Sequence, residues 1–382
     1  MRQAKCAPME MVRMTNNRRI KLGILFGGRS GEHEVSLTSA ASVINALDPD
    51  KFEITVVGIT KTGKIANTSE LRTMLPPPLL SRVHFGLALE SNNAGMRIAP
   101  RLPEVRVDPE SPPQIIFPLL HGPYGEDGTV QGLLEIAGLP YIGCGVLASA
   151  VGMDKDVMKK LFLQAKLPIV PFRTILVRDL GKNLGALKKS LEQEFDYPMF
   201  SKPANLGSSV GICKIRTEME FEAALKHSAQ FDRKSVIEKG IDGRELECAI
   251  LGNDEPQASV VGEVISAHEF YDYEAKYVNP ASRLDIPAKI DDRISGEIRD
   301  LALRSFKAID GSGLARVDFF LEHKTGKVWL NEINTMPGFT PISMYTKLWA
   351  ASGIAFEELV QQLVRLGEER FREKSEKKIS VN

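Results

Sequence analysis

The sequence predicts an α/β fold distributed over two or three domains, and three observations support this prediction. The chain has 382 residues, which is more than one hydrophobic core usually accommodates. Residues 21–60 show the pattern of a strand, a glycine-rich turn, a helix and a second strand, which begins an open α/β layer. Residues 314–334 place two arms rich in β-branched and aromatic residues around a turn, which predicts a β-hairpin.

The composition limits the classes of function and location. The 49 Lys and Arg residues balance 49 Asp and Glu residues, so no net electrostatic field would attract nucleic acid or an anionic membrane. No apolar run is long enough to span a bilayer. Cys6, Cys144, Cys213 and Cys248 are scattered, which favours a reducing, cytoplasmic location and argues against a zinc site. Residues 1–19 are basic without an apolar core, and we predict a disordered tail there rather than a secretory signal.

The first α/β unit is predicted from its local signals. KLGILF forms a short apolar strand at 21–26, and a glycine turn follows at 27–31. Ser36 is predicted to cap a helix that ends at Leu47, and residues 52–60 alternate as a second strand. Glycines between a strand and a helix offer amide donors to a ligand, although a tight turn without a ligand is their more common role.

Two nucleotide-binding motifs are nearly matched, and we reject both. Residues 58–65 resemble a P-loop, but Ile65 stands where a hydroxyl should bind Mg²⁺, so a strand–turn–strand is predicted instead. Residues 143–148 match G-x-G-x-x-A, but no acidic residue follows about 20 positions later to bind a ribose. Residues 66–113 are rich in proline, and no element is assigned to them.

Residues 114–120 predict a buried strand that ends in a glycine-rich loop containing His121. A histidine just after a strand lies where open α/β sheets bind ligands, and a histidine that satisfies loop carbonyls is an equally good explanation. Further along, Thr129 is predicted to cap a helix. Helices are also predicted at 148–164, as one continuous element, and around 184–195, where the apolar residues have helical spacing.

Residues 198–215 predict a strand that ends in Lys202, a loop of small residues, and a second strand from Ile212. The backbone N–H groups and hydroxyls of such a loop can bind phosphates, with the lysine as a point charge. The loop also matches G-x-S-x-G around Ser209, but a hydrolase nucleophile elbow requires a following helix, whereas a strand is predicted. The alternative to a phosphate-binding loop is a mobile hairpin tip that binds no ligand.

The remaining chain is predicted to be built mostly from strands and amphipathic helices. Strands are predicted at 235–241, 244–251 and 259–265, helices at 292–309 and 355–371, and a charged tail at 373–382. Glu238, Lys239 and Glu245 are candidates for contacts with a purine edge and a ribose, although each alone would be an ordinary strand charge. Residues 270–284 predict a surface loop of the length typical of an active-site lid.

The predicted hairpin of residues 314–334 carries a candidate metal site. If Asp318 faces Glu332, then Arg316 faces Asn334, and all four side chains lie on one side of the ribbon. Opposed carboxylates repel unless a cation lies between them, and these oxygens are ligands that Mg²⁺ prefers. The arginine can stabilise negative charge on a reacting oxygen. Solvated charges on an exposed hairpin are the alternative, but the apolar residues between the charged positions favour the metal site.

Eight motifs in this order resemble those of the ATP-grasp superfamily and, within it, the D-alanine–D-alanine ligase family. They are EHEVS after the glycine turn, HGPYGEDG, VGMDK, SKPANLGSSVGI, EKGIDGRELE, FYDYEAKY, ARVDFF and NEINTMPGFTPIS. The resemblance covers residues 20–370, which is nearly the whole chain. It implies a three-domain ATP-grasp architecture, α/β at the N-terminus and α+β in the ATP-grasp part: an N-terminal substrate domain at 20–146, a central subdomain at 147–240 and a C-terminal subdomain at 241–372.

The resemblance also implies a reaction and its cofactors. In this family Mg-ATP phosphorylates the carboxylate of one D-alanine, and the amine of a second attacks the acyl phosphate to give D-alanyl-D-alanine, ADP and phosphate. The product is a peptidoglycan precursor. The implied metal ligands, for two Mg²⁺ or Mn²⁺ ions, are Asp318, Glu332 and Asn334. The implied ATP contacts are Lys155, Lys202, Ser208, Glu238, Lys239, Ile241, Glu245 and Lys276.

Substrate contacts follow from the same resemblance. Glu32 would bind the ammonium group of the first D-alanine near His121, and Ser208 and Tyr277 would link to Glu32 and close the lid. Relatives that use D-lactate typically carry a histidine near the position of Tyr277, so FYDYEAKY favours an amine as the nucleophile.

Arg316 and the amide of Gly338 would form an oxyanion hole, and Ser343 would bind the carboxylate of the second D-alanine. The family is commonly homodimeric. Alternatives are a ligase for another second substrate, such as D-lactate or another D-amino acid, and a nucleotide-binding protein without catalysis.

Overall fold

The computed structural model describes residues 19–85, 114–180, 184–265 and 283–377. Lys276, Tyr277 and most of the predicted lid loop lie outside these ranges, as do residues 1–18 of the predicted tail. Within the described ranges, every helix is too short or too polar to cross a bilayer.

Four parallel strands form the N-terminal sheet in the order β3-β2-β1-β4. They are β1 (Ile20–Gly27), β2 (Phe52–Ile59), β3 (Val83–Phe85) and β4 (Ile115–Leu119), accompanied by α1 (His33–Ala46) and α2 (Thr68–Met74). The predicted cap at Ser36 is wrong, because α1 begins at His33. The buried Ser36 hydroxyl instead accepts a hydrogen bond from Gly27 N at 2.7 Å and donates one to Leu119 O, which joins β1 to β4. The predicted turn at 58–65 is present, and an Ile59–Ile65 bridge closes it.

Two further helix predictions need correction. Thr129 is the first residue of α3 (Thr129–Ile136) rather than its cap, which is Gly128 with φ +91°. The single helix predicted at 148–164 is two helices, α4 (Val146–Met153) and α5 (Lys155–Gln164). Asp154 interrupts them with an extended backbone, and its side chain accepts hydrogen bonds from the first free amides of α5.

The central sheet is antiparallel with the order β5-β8-β6-β7. Its strands are β5 (Phe172–Leu176), β6 (Met199–Pro203), β7 (Cys213–Ile215) and β8 (Lys234–Lys239), with α6 (Leu184–Glu192) and α7 (Phe221–Ser228). The predicted strand–loop–strand at 198–215 is confirmed by the pairing of β6 with β7. A strand therefore follows the G-x-S-x-G segment, which excludes the nucleophile-elbow geometry there.

The C-terminal sheet is also antiparallel, with the order β11-β10-β9-β12-β13. It comprises β9 (Gly243–Gly252), β10 (Gln257–Ile265), β11 (Arg283–Asp285), β12 (Gly313–Glu322) and β13 (Val328–Asn334). Three helices pack against it: α8 (Asp292–Ala308), α9 (Met344–Ala351) and α10 (Phe356–Ser375). The helix α10 runs into the predicted charged tail, because its Glu, Arg and Lys residues are good helix formers. Its Leu359 and Leu363 share a core with Leu22 and Ile24 of β1.

Each sheet falls within one of the three predicted domain ranges, 20–146, 147–240 and 241–372. The helix α5 crosses this division, because its Met158 and Phe162 are buried in the core of the C-terminal sheet. The predicted domain bounds therefore stay a prediction.

Candidate active site

The hairpin of β12 and β13 has the predicted register. Arg316 pairs with Asn334, and Asp318 pairs with Glu332. A bulge shifts the pairing only beyond Asp318, where Phe319 faces Leu330. Because alternate residues on a strand share a face, the four polar side chains lie together on one side of the sheet.

Arg316 lies between two carboxylates on this face. Its Nε and Nη2 atoms bind Asp318 Oδ1 and Oδ2, each at 2.7 Å, in a bidentate pair. Its Nε atom is also 2.9 Å from Glu247 Oε2 on β9, the strand on the other side of β12. Glu247 was not predicted from the sequence. The spacing of two from Glu245 along β9 was the available signal, since it puts both side chains on the same face.

The predicted metal ligands supply hard oxygen donors of the kind Mg²⁺ takes. Asp318 and Glu332 line a cleft, and Asn334 Oδ1 accepts a hydrogen bond from Met336 N at 3.0 Å. No cluster of three or more His, Cys, Asp or Glu side chains within the described ranges is arranged to hold a metal. Two carboxylates and an amide fit Mg²⁺ that keeps water and phosphate oxygens as its other ligands.

A cleft of about 590 Å³ lies between the central and C-terminal sheets. Its lining includes all seven predicted ATP-binding residues that the structure describes: Lys155, Lys202, Ser208, Glu238, Lys239, Ile241 and Glu245. The eighth, Lys276, lies outside the described residues. The cleft therefore brings the candidate nucleotide residues beside the carboxylates of the hairpin.

A buried ion-pair cluster stands at one wall of this cleft. The carboxylate of Glu238 is 2.7 Å from Lys202 Nζ and 3.0 Å from Lys159 Nζ. Burial opposes ionisation of Glu238, but the two ammonium groups hold its pKa below the usual range. Burial likewise opposes the charge on Lys202, yet the carboxylates of Glu238 and Glu332 raise its pKa. Burial lowers the pKa of Lys159.

The loop of small residues reaches from this wall towards the hairpin. Lys155 Nζ donates a hydrogen bond to Leu206 O at 2.6 Å and is 3.7 Å from Glu332 Oε2. Ser208 and Ser209 both have left-handed backbones, with φ +51° and +58°. Such conformations cost non-glycine residues energy and are concentrated at functional sites.

The candidate site for the first substrate adjoins the tip of this loop. Ser208 Oγ donates a hydrogen bond to Glu32 Oε1. Gly122 packs against the same carboxylate: at φ +76°, any Cβ there would lie 2.8 Å from Glu32 Oε2. The Glu32 carboxylate therefore lies between the Ser208 hydroxyl and the backbone of Gly122.

His121 is buried, and both ring nitrogens have partners. Nδ1 is 3.1 Å from Met336 O, and Nε2 is 3.2 Å from Ser39 Oγ. Burial lowers the pKa of His121, which favours the neutral ring. The contact with Met336 O agrees with the alternative interpretation, in which the histidine satisfies a backbone carbonyl. The ring also lies close enough to Glu32 to interact with its charge.

The predicted site for the second substrate is compact. Ser343 Oγ accepts a hydrogen bond from Thr340 N at 3.1 Å and lies at the N-terminus of α9. A Cβ at Gly338 would lie 3.2 Å from the same oxygen, so Gly338 and Ser343 are immediate neighbours.

Comparison with known proteins decides the family. Residues 21–144 match the family model described as the D-ala D-ala ligase N-terminus, and residues 161–365 match the D-ala D-ala ligase C-terminus. The chain belongs to the D-alanine–D-alanine ligase family.

Relatives in this family match nearly the whole chain. The D-alanine–D-alanine ligase of Heliobacterium modesticaldum is 48% identical over 92% of this chain and 96% of its own length. That of Bacillus velezensis is 47% identical over 92% and 98%. Among solved structures, the D-alanine-D-alanine ligase from Coxiella burnetii is 35% identical with a TM-score of 0.76, covering 94% of this chain and 96% of that one. The VanG D-Ala:D-Ser ligase from Enterococcus faecalis is 34% identical with a TM-score of 0.76, covering 92% and 100%. These ligases have the predicted ATP-grasp fold.

One further carboxyl group at this site, that of Glu126, was not predicted from the sequence. Glu126 is buried, and Gly122 N donates a hydrogen bond to its Oε1 atom at 2.9 Å. Burial, and then the nearby negative charge of Glu32, raise the pKa of Glu126 to about 8. At neutral pH the neutral form of Glu126 therefore avoids placing a second negative charge beside Glu32. Glu126 belongs to the motif HGPYGEDG, which was the available signal in the sequence. Its interaction with Glu32 could not be predicted, because Glu32 is 94 residues away in the chain.

Proposed function

We propose that this chain is an ATP-dependent ligase that joins two D-alanines into D-alanyl-D-alanine and releases ADP and phosphate for peptidoglycan synthesis. The observation that carries the proposal is the convergence of the candidate nucleotide residues and the hairpin carboxylates on one cleft. Membership of the ligase family over nearly the whole chain supports the same conclusion.

In the first step, a carboxylate oxygen of one D-alanine attacks the γ-phosphorus of ATP, and the bond to the bridging oxygen of ADP breaks. Lys155 and Lys202, which line the cleft, would neutralise phosphate charge. Asp318, Glu332 and Asn334 would hold one or two Mg²⁺ or Mn²⁺ ions, which would neutralise charge on the phosphates when bound. Glu32, held by Ser208, would pair with the ammonium group of the same D-alanine.

In the second step, the neutral amine of the other D-alanine attacks the acyl carbon. The C–N bond forms, the C–O bond breaks so that phosphate leaves with both electrons of that bond, and the proton lost by the nitrogen is released to solvent. Arg316 and the Gly338 amide would stabilise the oxyanion, and Ser343 would bind the carboxylate of the second D-alanine. No side-chain nucleophile is needed in this course, because positioning and charge neutralisation supply the catalysis.

A substrate panel tests this proposal. Phosphate release from Mg-ATP is measured with D-alanine, L-alanine, D-alanine plus D-lactate and D-alanine plus D-serine, and products are identified by mass. We expect release to require D-alanine and to yield the D-alanyl-D-alanine dipeptide. A mixed product made in preference would point to a different second substrate, and ATP binding without turnover would refute the ligase function.

We further propose that the protein works as a cytoplasmic homodimer. The family resemblance supports the oligomeric state, and the scattered cysteines support a reducing compartment; Cys144 and Cys248 are free and buried. Light scattering on the purified protein would give the mass of a dimer, and a mass equal to one chain would refute the dimer.

A further inference from the structure

One buried ammonium group has no role in the reaction described above. Lys159, on α5, is 1% exposed. Its Nζ atom is 3.0 Å from Glu238 Oε1 on β8, and it donates a hydrogen bond to Asn331 O on β13 at 3.2 Å. The ring of Phe172 lies 5.7 Å away. Lys159 thus joins a strand of the central sheet to a strand of the C-terminal sheet, behind the wall of the cleft.

The carboxylate of Glu238 is shared by two lysines that differ in access. Lys202 binds Oε2 at 2.7 Å and lines the cleft, whereas Lys159 contacts Oε1 from behind and is outside the lining. The Lys159 contact is a close ion pair between two buried side chains. One lysine is therefore fixed in the interior, and the other can reach a ligand.

A buried carboxylate is costly unless a cation accompanies it. With Lys202 as its sole partner, Glu238 would hold that lysine, and a bound phosphate would have to compete for it. With Lys159 also present, Lys202 can leave Glu238 without leaving an unpaired buried charge. Its departure frees Oε2 as a hydrogen-bond acceptor facing the cleft.

We propose that Lys159 is a positioning residue for nucleotide binding: it keeps Glu238 in place while Lys202 moves to a phosphate, so that Oε2 can accept a hydrogen bond from the amino group of adenine. The inference rests on the proposed use of ATP. It makes Lys159 a determinant of both ATP affinity and base selectivity, because the amino group at position 6 is a donor in adenine and an oxygen acceptor replaces it in hypoxanthine.

The test compares Lys159→Met with Lys160→Met in the full chain. Lys160 is the next residue on α5, and it is exposed and pairs with Asp156 at 2.9 Å, so its variant controls for loss of a lysine from this helix. The dissociation constants of ATP and inosine triphosphate are measured by calorimetry, and the KM values for ATP and D-alanine are measured by phosphate release. The unfolding temperature of each variant is recorded first.

We expect Lys159→Met to weaken ATP binding about tenfold or more and to reduce the preference for ATP over inosine triphosphate. The reason is that the hydrogen bond from the adenine amino group to the Glu238 carboxylate is lost or displaced. The KM for D-alanine at saturating ATP should not change, and Lys160→Met should behave as the unmodified protein. If Lys159→Met does not fold, Lys159→Gln replaces it, since glutamine keeps a donor for Asn331 O without the charge.

A folded Lys159 variant with unchanged ATP affinity and base preference would overturn the inference and leave the ligase proposal standing. A merely structural role for Lys159 would lower the unfolding temperature and leave the ratio of the two nucleotide affinities unchanged. Failure of the unmodified protein to bind ATP would instead refute the proposed function.

Discussion

The hydroxyl of Ser208 donates a hydrogen bond to the carboxylate of Glu32, although the two residues are 176 positions apart in the chain. Ser208 belongs to the loop between β6 and β7, and Glu32 immediately precedes α1. The bond therefore ties the candidate phosphate loop to the candidate site of the first D-alanine. The left-handed backbone of Ser208 is retained in spite of its cost, which is consistent with a fixed hydroxyl position.

Ser208→Ala should weaken catalysis more than stability. Loss of one part-buried hydrogen bond costs about 1 kcal/mol of folding free energy, whereas misplacement of Glu32 should reduce kcat/KM for D-alanine by about tenfold to a hundredfold. Steady-state phosphate release and thermal unfolding measure the two effects. Ser190→Ala is the matched control, because Ser190 Oγ, on α6 and outside the cleft lining, accepts one part-buried hydrogen bond from Arg173 at 3.2 Å. The Ser190 variant should retain turnover. A Ser208 variant with the same kcat/KM for D-alanine as the Ser190 variant would contradict the assignment.

Glu332→Ala should greatly reduce magnesium-dependent turnover while leaving the fold intact. Its carboxylate faces Asp318 and lines the cleft, so its removal takes away one of the two candidate carboxylate ligands. We expect kcat to fall by on the order of a thousandfold and the magnesium dependence to weaken, because the ion stabilises transferring phosphate charge. Glu322→Ala, at the far end of the same hairpin, is the control. Activity and magnesium dependence retained in the Glu332 variant would remove the metal assignment.

Arg316→Lys should lower kcat with little effect on the KM for ATP. Lysine keeps the charge but cannot form the bidentate pair with Asp318 while also contacting Glu247. If Arg316 stabilises the oxyanion, the loss in kcat should be about a hundredfold to a thousandfold. Arg244→Lys alters another bidentate pair of the same sheet, with Glu263, and should leave kcat nearly unchanged. Equal effects of the two substitutions would argue for a structural role.

Glu126 should make stability depend on pH. Its pKa is about 8 in the folded chain against an ordinary 4.5, so the folded state keeps a proton that the unfolded state loses. The favourable contribution is complete below about pH 4.5 and is lost as the pH rises to about 8. Between about pH 5 and pH 8, the unfolding free energy of the unmodified protein should therefore fall by about 3 kcal/mol more than that of Glu126→Gln. Urea unfolding followed by circular dichroism measures this, and parallel curves for both proteins would show that Glu126 is not buried as a neutral acid.

Local periodicity was sufficient to predict the hairpin. The contacts that were not predicted from the sequence join residues that are far apart in the chain. The register of Asp318 and Glu332 follows from a short turn and a period of two, and the bulge lies beyond these residues. Ser36 misled because a serine can cap a helix or bond to a distant carbonyl, and here it bonds to Leu119. Lys159 was missed because its partner, Glu238, is 79 residues away in the chain, on β8 of the central sheet.

Asp154 shows the same limit at a helix boundary. From the sequence, the residues around VGMDK continue a helical pattern, and only the structure shows that Asp154 turns its side chain back to cap the next helix. Lys155 and Lys159 then fall one turn apart on the same face of α5, with Lys155 in the cleft lining and Lys159 behind it.

The most direct test of the ligase mechanism follows oxygen from D-alanine labelled with ¹⁸O in its carboxylate. If the carboxylate attacks the γ-phosphorus and the amine of a second D-alanine then displaces phosphate, one labelled oxygen is transferred to each phosphate released. We predict phosphate carrying one ¹⁸O in equal amount to D-alanyl-D-alanine, both identified by mass spectrometry. Dipeptide formation with unlabelled phosphate, or phosphate release without dipeptide, would contradict the account.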